Sequence, residues 1–122
     1  MTSTTGKLTT HVLDTMHGAP AAGMALRLDR LDGEQPPLLL KSASLNHDGR
    51  VDGPLLEGAD LLPGRYRLVF GVADYFKSLG VQLPEPAFLD QVPLDFGIAD
   101  ADLHYHVPLL ASPWSYSTYR GS

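Results

Sequence analysis

Cysteine is absent from this chain of 122 residues, which removes disulfide frameworks, thiolate metal sites, iron–sulfur clusters and cysteine nucleophiles together. Basic residues are few: nine Lys and Arg, scattered singly, against fourteen Asp and Glu, for a net charge of -5. A phosphate backbone selects the opposite pattern, so no nucleic-acid partner is expected. The opening MTSTTGKLTTHVLD has one Lys and no apolar run, and the closing RGS is no peroxisomal tripeptide, so neither a secretory signal nor a membrane contact is expected. These features together lead to the expectation of a soluble, cytoplasmic protein. Gly58, Gly64 and Gly71 stand in neither GxGxxG nor P-loop spacing, which argues against a phosphate-cradling loop.

The length suits one domain that closes a single core without staples. Residues 1–6 read as a flexible N-terminal arm and 7–122 as the domain. Its patterning is all-β. Leu8 to Leu13 alternates with Thr9, His11 and Leu13 on one face, and Met24 to Leu31 is half apolar in the same period. Leu38 to Leu45 is a third strand, closed by the Asp-Gly turn of NHDGR, and a short fourth is expected from Arg50 to Pro54. Arg65 to Val72 is the clearest strand, with Tyr66, Leu68 and Phe70 on one face. Ala73 to Leu79 reads as a turn or two of helix stopped by Gly80. Strands over Val92 to Ile98, Leu103 to Leu110 and Tyr116 to Arg120 complete eight, the number of a β-sandwich.

The last twenty residues, LHYHVPLLASPWSYSTYRGS, concentrate the reactive groups. Period 2 places His104 and His106 on one strand face with Tyr105 on the other. Tyr119, Arg120 and Ser122 follow at the terminus, and an aromatic tail of this kind is expected to pack rather than trail in water. Taken singly, each feature is ordinary: a lone His on a strand is usually a surface or satisfied core residue, and an Arg after a turn is usually a solvated strand start. His17 and His47 lie in turns and are expected to face solvent. Tyr66, Tyr75, Phe76 and Trp114 are expected in the core or at an interface.

In combination, THVLD, NHDGR and HYHVPLLASPWSYSTYRGS resemble the transthyretin-like 5-hydroxyisourate hydrolases, over about Lys7 to Ser122, with YRGS the most specific part. The resemblance implies a transthyretin-like sandwich of two four-stranded sheets with one short helix after the fifth strand. It implies hydrolysis of 5-hydroxyisourate to 2-oxo-4-hydroxy-4-carboxy-5-ureidoimidazoline in purine catabolism. It further implies His11, Arg50, His106 and Ser122 as catalytic residues, with Tyr119, Arg120 and Gly121 binding substrate; His104, on the same strand face as His106, is read as fixing the tautomer of His106 or lining the pocket as a substrate-binding residue. Within that set His106 is taken as general base and His11 as orienting the water. Arg50 is taken to hold a substrate carbonyl, and Ser122 to relay a proton or fix the substrate's edge. No metal or organic cofactor is implied. The same resemblance implies a homotetramer whose sites open at the dimer–dimer interface.

The residue types suit that chemistry. Opening a cyclic amide needs a base for water, a donor for the developing oxyanion and a proton for the leaving nitrogen. Imidazole titrates near the working pH, and guanidinium offers a permanently charged fork to carbonyl oxygens. Two rivals use the same residues: a transthyretin-type carrier of small ligands, and a zinc hydrolase with His11, His104 and His106 as ligands. The YRGS tail weighs against the first, and an Arg in the pocket, which would repel a cation, against the second.

Overall fold

Alternating side chains need two faces to divide between, and the computed structural model, which describes residues 5–121, supplies them as two packed sheets. One sheet holds β1 (Lys7–Asp14), β2 (Ala19–Pro20), β5 (Leu56–Glu57), β8 (His104–Ala111) and β9 (Tyr116–Thr118). The other holds β3 (Ala25–Leu31), β4 (Leu38–Ser44), β6 (Gly64–Phe70) and β7 (Val92–Ile98). The first runs β2-β1-β8-β9, with β5 beside the start of β1, and the second runs β4-β3-β6-β7. Helix α1 (Val72–Ser78) joins β6 to β7. With the two-residue β2 set aside, each sheet has four strands and the helix follows the fifth strand.

Most strand ends fall within a residue or two of the sequence reading, β9 stopping at Thr118 and not Arg120, and two segments change character. The strand expected over Arg50 to Pro54 does not form: Arg50 makes one isolated bridge to His11, and pairing with β1 resumes at Leu56–Glu57. Pro54 has no N–H to give a ladder, which places the break there. Val72, expected to end β6, instead opens α1, because Val72, Ala73, Tyr75 and Phe76 bury together as one helical face. Of the expected N-terminal arm, Thr5 donates to the Asp102 carbonyl at 3.2 Å and Gly6 is already buried.

The core lies between the sheets. Leu8, Val12 and Leu109 from one sheet and Leu28, Leu68 and Phe70 from the other are fully buried, as is Phe76 of α1. Each such side chain contributes roughly 1.5–3 kcal/mol of transfer free energy. Tyr66 and Tyr75 are buried as expected, whereas Trp114 is 59% exposed. β1 pairs in parallel with β8 along its whole length, Thr9 standing opposite His106 and Thr10 opposite Val107. The faces of the two strands therefore match: Leu8, Val12, Tyr105, Val107 and Leu109 turn to the core, and Thr9, His11, His104 and His106 turn away from it.

β1 also carries buried polar groups, each of them partnered. Thr10 donates to the Val107 carbonyl at 2.7 Å. The Asp14 carboxylate accepts from the His17 backbone N–H at 3.0 Å, pairs with His17 Nδ1 at 2.6 Å and accepts from the Tyr75 hydroxyl at 2.7 Å. His17 is thus tied to the fold through Asp14 while its side chain stays 41% exposed. Burial pushes the Asp14 carboxyl upward, but the hydrogen bonds from His17 and Tyr75 outweigh it and hold the group below its ordinary value. Burial foremost, and then the same contact with Asp14, drive the Tyr75 phenol well above its usual range.

Asp14→Ala strands the Tyr75 hydroxyl and should lower the unfolding free energy by about 1–3 kcal/mol, read as a lower urea midpoint at unchanged slope. Because the folded-state pKa of Asp14 lies below its unfolded one, its contribution is complete above the ordinary carboxylate range and is lost as pH falls through the folded value. The variant's stability should accordingly be less sensitive to acid than the parent's.

Candidate active site

The outward face of the β1–β8 pair assembles the histidines. Register sets Thr9 directly across from His106 and two residue pairs along from His104, and His11 lies diagonally from His106 at roughly 8 Å between Cα atoms. The Thr9 hydroxyl lies between two rings, 2.8 Å from His106 Nδ1 and 3.1 Å from His104 Nε2. His106 is half-buried and His104 exposed. The sequence reading did not single out Thr9; its signal was its place on the His11 face, and its partner became visible only with the parallel register.

Arg50 arrives from the turn before it. The Asn46 side chain accepts from the Asp48 N–H at 2.9 Å and the Arg50 N–H at 3.1 Å and donates to Asp52 at 2.8 Å, which closes NHDGR into a tight loop. Gly49 sits at φ +74 and passes its carbonyl to the Val12 N–H at 2.9 Å. A Cβ there would lie 2.6 Å from the Val12 carbonyl oxygen, so only glycine lets the turn reach β1. That docking forms the bridge between Arg50 and His11.

The C-terminal segment closes the other side. β9 pairs antiparallel with β8, and the pairing continues beyond it as a bridge between His106 and Gly121, with the Gly121 N–H donating to the His106 carbonyl at 2.7 Å. A Cβ on Gly121 would sit 2.9 Å from His106 Cδ2 and 3.1 Å from its Cβ. The glycine of YRGS is therefore what lets the tail lie against the imidazole. Tyr119 lines a cleft of about 160 Å³ with His11, Leu13 and Pro108. Arg120 turns to the opposite side, its guanidinium 4.5 Å from the centre of the Tyr105 ring and one nitrogen 3.5 Å from the His104 carbonyl oxygen. Ser122 lies outside the described residues. His11, Arg50, His104, His106, Tyr119 and Gly121 thus share one side of the sheet, and Arg120 does not join them.

Charge follows from that crowding. Burial foremost, then the positive charge of Arg50 and the neighbouring His11 and His104, hold His106 below the ordinary imidazole value. A neutral ring with an open nitrogen is the form a general base requires. Among the described residues, no three His, Cys, Asp or Glu side chains gather closely enough to hold a metal, so His11, His104 and His106 do not make the three-ligand set that the zinc alternative needs. What the arrangement offers instead is a base, a second imidazole and a guanidinium gathered on one face of the β1–β8 pair.

Known proteins match this chain over nearly its whole length. The sequence profile of the HIUase/Transthyretin family matches residues 8–121. A 5-hydroxyisourate hydrolase of Pseudomonas aeruginosa is 62% identical over 117 residues, 96% of this chain and 92% of the relative. The crystal structure of an (S)-allantoin synthase superposes with a TM-score of 0.92 at 47% identity, over 98% of this chain and 44% of that longer one. The 5-hydroxyisourate hydrolase of Klebsiella pneumoniae superposes at 0.79 with 32% identity, over 96% of this chain and 99% of the other. With the sandwich, the paired imidazoles and the terminal tetrapeptide all in one chain, the match across nearly its whole length makes this protein a member of the HIUase/transthyretin family.

Proposed function

We propose that the protein hydrolyses 5-hydroxyisourate to 2-oxo-4-hydroxy-4-carboxy-5-ureidoimidazoline, as a cytoplasmic homotetramer that needs neither metal nor organic cofactor. The observation that carries this reading is the gathering of His11, Arg50 and His106 with the tail on one sheet face. The names of the similar hydrolases supply the substrate.

His106 takes a proton from water as the oxygen adds to a ring carbonyl of the substrate. His11, diagonal to it, orients that water. Arg50 faces the oxygen on which negative charge develops, where a guanidinium's parallel N–H groups strengthen their hydrogen bonds as the transition state forms. The ring C–N bond then breaks, and His106 returns its proton to the leaving nitrogen. Tyr119, Gly121 and His104 shape the pocket, and Ser122 fixes the substrate's edge or relays a proton. Arg120 serves this pocket by anchoring the tail to Tyr105.

A tetramer is supported by what one chain leaves uncovered. Trp114, Tyr116 and Tyr119, all in the C-terminal segment, are 59%, 44% and 62% exposed, and Tyr119 lines the cleft. β9 and β7 are edge strands on one flank, bordering a common cavity of about 320 Å³. Edges and aromatics of this kind are the surfaces that closed symmetry buries.

His106→Ala and Arg50→Ala should each slow the loss of 5-hydroxyisourate, generated in situ from urate and followed in the ultraviolet, by a factor of order 10² or more; unchanged rates would dismiss these roles. The depressed His106 should place the acid limb of kcat/KM below pH ~6.5, and Arg50→Gln, which removes a positive neighbour, should move that limb upward. Dilution that dissociates the assembly, monitored by sedimentation, should abolish turnover, and a fully active monomer would refute a site completed between subunits.

A further inference from the structure

Neutral imidazole exists as two tautomers, and only the one with its proton on Nδ1 leaves Nε2 free to accept a proton. His106 Nδ1 has its hydrogen-bond partner in Thr9, whose oxygen lies 2.8 Å away. The same oxygen lies 3.1 Å from His104 Nε2. A hydroxyl carries one proton, so it can donate to only one of these rings, and its oxygen accepts from the other. With that proton given to a ring, the chain has two arrangements. In one, His106 Nδ1–H donates to Thr9 and Thr9 donates to His104 Nε2, which leaves His106 Nε2 as a bare lone pair. In the other both bonds reverse, and His106 Nε2 carries the proton and accepts nothing.

We infer that Thr9 is a positioning residue that couples the tautomer of His104 to that of His106, so that His104 governs the basic nitrogen through the Thr9 hydroxyl. This rests on the hydrolase reading and deepens it. The exposed His104 ring has solvent on its far side to satisfy Nδ1 in either tautomer, so it accepts the Thr9 proton at no cost in lost hydrogen bonds. Thr9 itself is restricted: a β-branched side chain on a strand has a narrow choice of χ1, and the flanking β1–β8 ladder fixes its Cβ opposite His106. The period-2 spacing of HYH is what lets a single hydroxyl span both rings, since His104 and His106 share a face.

The test is carried out on the full chain with Thr9→Val, which keeps the shape and removes the hydroxyl, Thr9→Ser, which restores it, His104→Gln, and the Thr9→Val/His104→Gln pair. The ¹⁵N shifts of the His106 ring report its tautomer directly. Thr9→Val should shift His106 away from the Nδ1–H form and lower kcat about 10-fold, less than loss of the base itself, with KM little changed. Thr9→Ser should restore both readouts. His104→Gln should lower kcat by a similar factor, and the double variant should fall no further than either single one, since one chain is broken in each. Wild-type ¹⁵N shifts in Thr9→Val, or additive losses in the double variant, would overturn the coupling. An inactive wild-type protein would overturn the hydrolase reading as well, whereas an active wild type with an indifferent Thr9→Val would overturn the coupling alone.

Discussion

The parallel pairing of β1 with β8 is the constraint on which the site depends. A slip of one residue along that ladder would turn Thr9 and His11 into the core and bring Leu8 and Val12, both fully buried, to the surface. The apolar residues of the inner face therefore hold the polar residues of the outer face in register. Core packing and catalytic geometry are two faces of one strand pair, and burial of a few leucines and valines decides which hydroxyl meets which imidazole.

Around that pair, two glycines admit what no other residue would. Gly49 allows the NHDGR turn to come within backbone hydrogen-bonding distance of β1, and Gly121 allows the tail to lie on the His106 ring. Each brings a different component to the imidazoles, a guanidinium in one case and the C-terminal segment in the other. The charge that Arg50 contributes also acts on His106, so the group that would stabilise an oxyanion helps to keep the base unprotonated.

Much of this was legible in the sequence because alternation is a strong signal. β1, β3, β4, β6, β7 and β8 lie where period 2 puts them, within a residue or two at their ends. The failures were local. Arg50 to Pro54 reads as a strand by punctuation, yet Pro54 interrupts the ladder and only a bridge survives. His17 looks like a turn residue and is one, but the buried carboxylate that ties it down is that of Asp14, which also accepts from the Tyr75 hydroxyl, and nothing in the spacing of these residues reports their contact. His11, Arg50 and His106 were nameable through the motifs that contain them. Thr9 was not, because its importance lies in which strand β1 has for a neighbour, and parallel partners distant in sequence leave no local mark. The sidedness of Arg120 was hidden for the same reason: the direction of a side chain after a strand depends on where the strand stops.

The Thr9–His106 hydrogen bond joins residues 97 positions apart, and the ladder that contains it is equally long-range. During synthesis β2, the NHDGR turn and β5 can close on one edge of β1, but its other edge has no partner until β8 exists, while the strand pairs of the second sheet, β3 with β4 and β6 with β7, close over shorter connections. The reactive face is then assembled late, by threading the first strand of the chain into the gap beside one of the last. A nascent chain of this family is inert chemistry for most of its growth, and the orphaned β1 edge is where it is most exposed to mispairing with a sister chain.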